Sequence, residues 1–158
     1  MTFRWSEFQA AEPDFAATVR RRFDPYKHHV LGTLRKDGFP RLSGLEVTFG
    51  RGELWLGMMP GSRKARDLLR DPRFAVYANP GSGTDMGGGD VRIGGRAVEV
   101  TDPDTLAWFA DEVGVPQPFH LFRAELTEVV RTTVEGEALV LRIWRPGEAL
   151  RTMRPGKD

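Results

Sequence analysis

Apolar positions along the chain change period several times, and each change marks an element. Near the start the period is helical. Trp5 and Phe8 lie three apart, and Phe15, Val19 and Phe23 follow at four-residue steps along one helix face. Pro13 separates two pieces and suits a first helical turn beside Glu12 and Asp14, while Asp24-Pro25 supplies a stop. A two-piece helical extension is therefore predicted over about residues 5–24. From residue 28 the apolar runs shorten and turn residues punctuate them. His29–Leu34 reads as a strand, Lys36-Asp37-Gly38 as a hairpin turn, Arg41–Phe49 as a second strand and Glu53–Met58 as a third, after Gly50-Arg51-Gly52. Connections this short make the three strands antiparallel.

Pro60-Gly61 ends the third strand. Ser62 is placed to cap a helix whose apolar face holds Ala65, Leu68 and Leu69, and Asp71-Pro72 closes it. Phe74–Ala78 is a fourth strand, and Val91–Val100 a fifth in which Gly94-Gly95 marks a bulge or bend. Between them residues 80–90 form a glycine-heavy segment, read as a flexible or ligand-covering loop because no Gly-Lys-Ser/Thr follows it. Asp102-Pro103 opens a helix to about Val113, and Phe119–Thr133 with Glu137–Trp144 form a closing hairpin around Glu135-Gly136. Six or seven short strands with few helices predict a mainly β fold, an antiparallel barrel with peripheral helices. No repeat or linker divides the chain, so residues 1–158 are expected to form one domain with its barrel over about 28–146.

Composition narrows the chemistry. The chain has no cysteine, which excludes disulfides, iron–sulfur clusters, thiolate zinc sites and a cysteine nucleophile. A net charge of +1 argues against a bulk nucleic-acid binder, and no apolar run has membrane-span length. With no signal-peptide pattern at the start, a cytoplasmic protein is expected. His28 and His29 are adjacent on a strand and point to opposite faces, and His120 is isolated, so no metal site is expected. Gly-x-Ser-x-Gly is absent, and no His–Asp pair marks a serine nucleophile. The charge is nonetheless uneven: residues 35–73 alone carry net +4 and residues 74–122 net −5. A basic stretch inside a neutral chain suits a confined anion such as a phosphate, or arises by chance.

Within that basic stretch, Gly61-Ser62-Arg63-Lys64 places a hydroxyl and two cations at a helix start. The four amides that a helix start leaves free, and the positive end of its dipole, favour an anion there. Arg63 adds a planar fork and Lys64 a point charge, and Arg41 reaches the same place if its strand lies beside the third. The plainer alternative is that both cations are solvated. Cations oppose the dipole at this end by a few tenths of a kcal/mol, so that alternative requires a compensating group.

The segment from Glu53 to Arg73, with its strand, Ser-Arg-Lys turn and short helix ending in Asp-Pro, resembles the signature of the pyridoxamine 5′-phosphate oxidase-like flavin-binding split barrels. Asp37-Gly38-Phe39-Pro40-Arg41, the Val91–Glu99 strand and Arg142-Ile143-Trp144-Arg145-Pro146-Gly147 are similar to three further family features. The similarity covers about residues 28–150, and the 19 arginines against four lysines suit the superfamily's actinobacterial members. What the resemblance implies is an antiparallel split β-barrel and a homodimer holding FMN, or the related 8-hydroxy-5-deazaflavin coenzyme, at its interface. Arg41, Ser43, Ser62, Arg63 and Lys64 match positions near the phosphate and ribityl chain, and Gly57 and Met58 match positions whose backbone borders the ring. Trp144 matches an aromatic residue that approaches the flavin, although a core or interface tryptophan is the alternative.

The substrate end departs from the pattern. Glu46 stands where pyridoxamine phosphate oxidases carry a lysine, and Leu150 and Thr152 stand where they carry an arginine and a histidine. The resemblance therefore implies a flavin- or deazaflavin-dependent oxidoreductase acting on a small molecule other than pyridoxamine phosphate. Two alternatives stay open: a non-catalytic flavin-binding or sensing module, and a haem-binding split barrel with His28, His29 or His120 as ligand. Arg35, Arg66 and Arg70 either meet the acidic tail of a deazaflavin or form a solvated face.

Overall fold

The computed structural model describes residues 1–83 and 88–156. Two short helices, α1 (Trp5–Ala11) and α2 (Pro13–Arg21), precede strands β1 (His29–Leu34), β2 (Pro40–Leu45), β3 (Val47–Gly50) and β4 (Glu53–Met58). Helix α3 (Arg63–Arg70) leads to β5 (Arg73–Tyr77) and β6 (Asp90–Glu99); α4 (Pro103–Val113) leads to β7 (His120–Glu135), β8 (Ala138–Trp144) and β9 (Arg151–Met153). The predicted elements are present with two differences. The expected second strand is broken at Glu46 into β2 and β3, and β9 lies beyond the last expected strand, making nine among the described residues. The glycine-heavy loop lies partly outside the described residues, at 84–87.

Every pairing is antiparallel, in the order β2-β1-β5-β6-β7-β4-β3. This path starts at β2 and ends at β3, which are consecutive in the chain across Glu46, so the sheet rolls up on itself. The 16-residue β7 pairs with β6 along one side and, on its other side, first with β4 and later with β8. That shared edge is where the barrel splits. The architecture is mainly β, a split antiparallel barrel with helices outside it.

Alternation along β1, β5 and β6 fills the barrel from one face, with Leu31, Phe74, Val76, Val91 and Ile93 all buried. The two N-terminal helices add Trp5, Phe8, Phe15, Val19 and Phe23 to the same core, the residues that set the helical period. Each such side chain contributes roughly 1.5–3 kcal/mol by leaving water. Where β6 turns toward β7 the register shifts between Gly94 and Gly95, the bulge that the two glycines predict. A methyl group on Gly95 would run into the Glu125 carbonyl oxygen, whereas one on Gly94 meets nothing nearer than 3.9 Å.

The outer faces of β2, β1, β5 and β6 line up in cross-strand rows. Leu42, Gly32, Ala75 and Gly94 sit side by side across the four strands, and Gly44, Val30, Tyr77 and Arg92 form the next row. The first row is a trough of nearly absent side chains with Leu42 standing at its end, 75% exposed.

Gly95→Ala is expected to destabilise the fold by about 3 kcal/mol, read as a lower urea midpoint at unchanged slope. Gly94→Ala, its neighbour in the same bulge, should change stability by less than about 1 kcal/mol.

Candidate functional site

Helix α3 begins where β4 ends, and its first turn borders two cavities of opposite character. One, about 500 Å³, is lined by Arg35, Lys36, Asp37, Arg41, Arg63, Arg66, Asp67 and Arg70, six cations against two carboxylates. The other, about 650 Å³, is walled by Gly57, Met58, Met59 and Pro60 at the end of β4 and by Phe109, Val113 and Phe119 on and after α4. Its polar lining comes from His28, Glu46, Thr48, Lys64 and Gln117. Of the neighbouring cations in the Ser-Arg-Lys turn, Arg63 faces the first cavity and Lys64 the second.

Local bonding defines what this turn offers. Ser62 caps α3, its Oγ accepting the Ala65 amide at 3.3 Å, which leaves its hydroxyl hydrogen free to be donated to an anion. The Gly61 amide donates to His120 Nε2 at 3.2 Å and the Ser62 amide to the Met59 carbonyl at 3.2 Å. The Arg63 and Lys64 amides are left without an acceptor among the described residues, two free donors rather than the four expected. Lys64 Nζ donates to the Gly44 carbonyl at 2.7 Å, tying α3 to β2, and burial lowers its pKa. Arg63 and Arg66 have no ion pair among the described residues, so both extend free charge into the cationic cavity.

Beneath that cavity lies a carboxylate that pattern reading missed. Asp67 is 2% exposed, whereas Leu69, expected on the apolar face, is 51% exposed. The helix turns Asp67 inward because its charge is met there. Oδ2 accepts from Arg41 Nε at 2.7 Å and from the Thr33 hydroxyl at 2.8 Å, and Oδ1 from Arg70 at 3.0 Å. Burial pushes the carboxyl pKa up, but these hydrogen bonds and the Arg41 charge together hold it below the ordinary value. Its partners stand 34 and 26 residues upstream, so no local pattern announces the burial; only the Asp67 to Arg70 spacing is visible in sequence.

The remaining sequence-predicted residues divide. Arg41 joins Arg63 in the cationic cavity, and Gly57, Met58 and Lys64 line the apolar one. Gly57 is needed there, since a Cβ would stand 2.8 Å from the Phe109 ring and push α4 away. Ser43 Oγ is buried without a hydrogen-bond partner among the described residues and lines neither cavity. Trp144 lies in the core, 1% exposed, its ring 4.5 Å from Phe8 and 5.6 Å from Phe3. Phe3 and Phe8 of the N-terminal segment pack against it, the surroundings of a core tryptophan. The histidines do not converge. His29 is buried and accepts the Asn79 amide at 2.9 Å, His120 serves Gly61, and His28 lies on the surface 3.4 Å from Glu46.

A family model described as pyridoxamine 5′-phosphate oxidase matches residues 17–133, spanning the barrel strands from β1 nearly to the end of β7 and both cavities' principal walls. The chain belongs to the pyridoxamine 5′-phosphate oxidase family. Several solved structures share the fold at low identity. A putative pyridoxamine 5′-phosphate oxidase from Listeria innocua superposes with TM-score 0.61 at 16% identity, over 76% of this chain and 96% of that one. A pyridoxamine 5′-phosphate oxidase-related, FMN-binding protein from Nostoc punctiforme gives 0.60 at 15% identity, over 90% and 95%. The haem storage protein HutZ from Vibrio cholerae gives 0.55 at 18%, over 73% and 89%. No curated protein matches. Among the described residues no helix is long and apolar enough to cross a membrane.

Trp144→Phe is expected to cost about 1–3 kcal/mol of stability through the cavity it opens beside Phe8. Thermal unfolding followed by circular dichroism checks this, and ligand affinity, measured in parallel, should stay within about twofold.

Proposed function

We propose that this member of the pyridoxamine 5′-phosphate oxidase family is an oxidoreductase that binds FMN and acts on a small molecule other than pyridoxamine phosphate. One observation carries the reading: a cationic cavity and an apolar cavity border adjacent residues of the first turn of α3, Arg63 and Lys64, as suits a planar apolar ring that bears an anionic end. The donor set fits the group. Arg63, Arg41 and the Arg63 and Lys64 amides would take phosphate oxygens, while Gly57, Met58, Phe109 and Phe119 would flank the ring. An FMN-binding protein among the structural relatives supports the same choice. When bound, a flavin supplies hydride or single-electron transfer, which asks little acid–base chemistry of the protein. The chain's own part is to anchor charge, exclude water with the α4 wall, and admit substrate past Glu46 and His28. A carboxylate at position 46 near that mouth repels anionic substrates, as expected if pyridoxamine phosphate is not the substrate.

The 8-hydroxy-5-deazaflavin coenzyme is the second reading, favoured by Arg35, Arg66 and Arg70 extending the cationic cavity beyond what one phosphate needs. A homodimer belongs to the proposal too. Leu42 stands beside a trough of Gly32, Ala75 and Gly94, a surface complementary to its own two-fold copy, and Gly44 on the next row borders the apolar cavity.

Titration followed by flavin absorbance and fluorescence is expected to give FMN binding below ~100 μM, weakened about tenfold by Arg63→Ala or Lys64→Ala. If neither cofactor binds, the reading fails. If the joint Arg35→Ala, Arg66→Ala variant weakens only the deazaflavin, that coenzyme is the natural one. Leu42→Asp should convert a dimer to a monomer in sedimentation velocity; a wild-type monomer would remove the dimer from the proposal.

A further inference from the structure

The cationic cavity raises a problem that its own floor resolves. Six cations around about 500 Å³ repel one another, and long arginine side chains left to themselves swing outward into solvent. Arg41 does not swing. Its side chain is 24% exposed, and its Nε is held at 2.7 Å by a carboxylate whose side chain is 3% exposed. Arg70 is fixed twice, to the other oxygen of that carboxylate at 3.0 Å and to the Leu34 carbonyl at 2.7 Å. The Thr33 hydroxyl at 2.8 Å completes the set. Strand β1, strand β2 and helix α3 therefore meet at one pair of oxygens. Because Asp67 engages Arg41 through Nε, the two terminal amino groups of Arg41 remain unbonded among the described residues.

We propose that Asp67 is the positioning residue of the anion site: it locks Arg41 and Arg70 on the cavity wall and directs the free end of the Arg41 fork toward an incoming phosphate group. The inference rests on the proposed anion-binding role of this cavity. Its consequence runs against simple charge counting. An acidic residue beneath a cationic cavity lowers the attraction for anions, so charge alone predicts tighter binding when Asp67 is neutralised. Positioning predicts weaker binding, because Arg41 and Arg70 must then be ordered at the expense of the ligand.

The test uses the full-length, cofactor-free protein and inorganic pyrophosphate as probe at fixed ionic strength. The wild-type protein should show a slowly exchanging arginine Nε–H resonance in proton–nitrogen spectra, assigned to Arg41 by its loss in Arg41→Lys. That resonance should vanish in Asp67→Asn, and pyrophosphate should bind this variant about tenfold more weakly despite the added positive charge. Thr33→Val removes one hydrogen bond from the same oxygen without changing charge and should weaken binding about threefold. It carries the test if Asp67→Asn does not fold. In an Arg41→Lys background the Asp67→Asn effect should shrink. Unchanged or tighter binding by Asp67→Asn, an undiminished effect without Arg41, or a wild-type cavity that takes no pyrophosphate overturns the proposal. Pyrophosphate binding with this Asp67 dependence, but no binding of either flavin, overturns the flavin reading alone.

Discussion

The covalent continuity of β2 and β3 across Glu46 governs this structure. These two strands are the opposite ends of one hydrogen-bonded path, so eleven residues, from Pro40 to Gly50, must serve both edges of a rolled sheet. The bend at Glu46 is the place where one edge becomes the other. Closure brings β2 near the end of β4, and so places Gly44 within reach of the Lys64 side chain at the start of α3. Without it, the segment that follows Pro60 would be a solvated turn. With it, the same segment stands between a charged cavity and an apolar one.

Electrostatics and packing then act on neighbouring residues in different directions. Arg63 remains exposed, with no ion pair among the described residues, while Lys64 is drawn into the groove at a desolvation cost that lowers its pKa. A carboxylate at Asp67, one turn further on, is paid for by two arginines and a threonine and ties three elements together. Buried ion pairs add little net stability in general, and their best-attested role is to fix geometry. That role suits a site in which Arg63 and Arg66 have no ion pair among the described residues.

Much of this architecture is legible in the chain, and the parts that are not share a cause. Phe15, Val19 and Phe23 announce a helix because their spacing is local, and Gly94-Gly95 announces a bulge because only glycine fits beside Glu125. The Ser-Arg-Lys turn is visible through its cap and cations. The break at Glu46 is not, because Arg41–Phe49 carries no glycine or proline at that position and only closure demands the bend. Asp67 and Leu69 exchange their expected exposure because pairing with Arg41 and Thr33 is long-range in sequence. Trp144 is ambiguous in the chain for a different reason: a tryptophan beside a ligand and one packed in a core look alike in sequence, and its contacts with Phe3 and Phe8 are long-range.

The wall of the apolar cavity belongs to a packing unit of its own. Trp55, Phe109 and Leu121, with Leu106, Trp108 and Val113 around them, form a cluster separate from the barrel interior. The free energy that holds α4 against β4 is therefore set by a handful of rings and aliphatic groups, not by the global stability of the fold. The α4 wall of the groove is thus held by contacts distinct from those that fill the barrel, so substitutions within this cluster act on the groove before they act on the sheet.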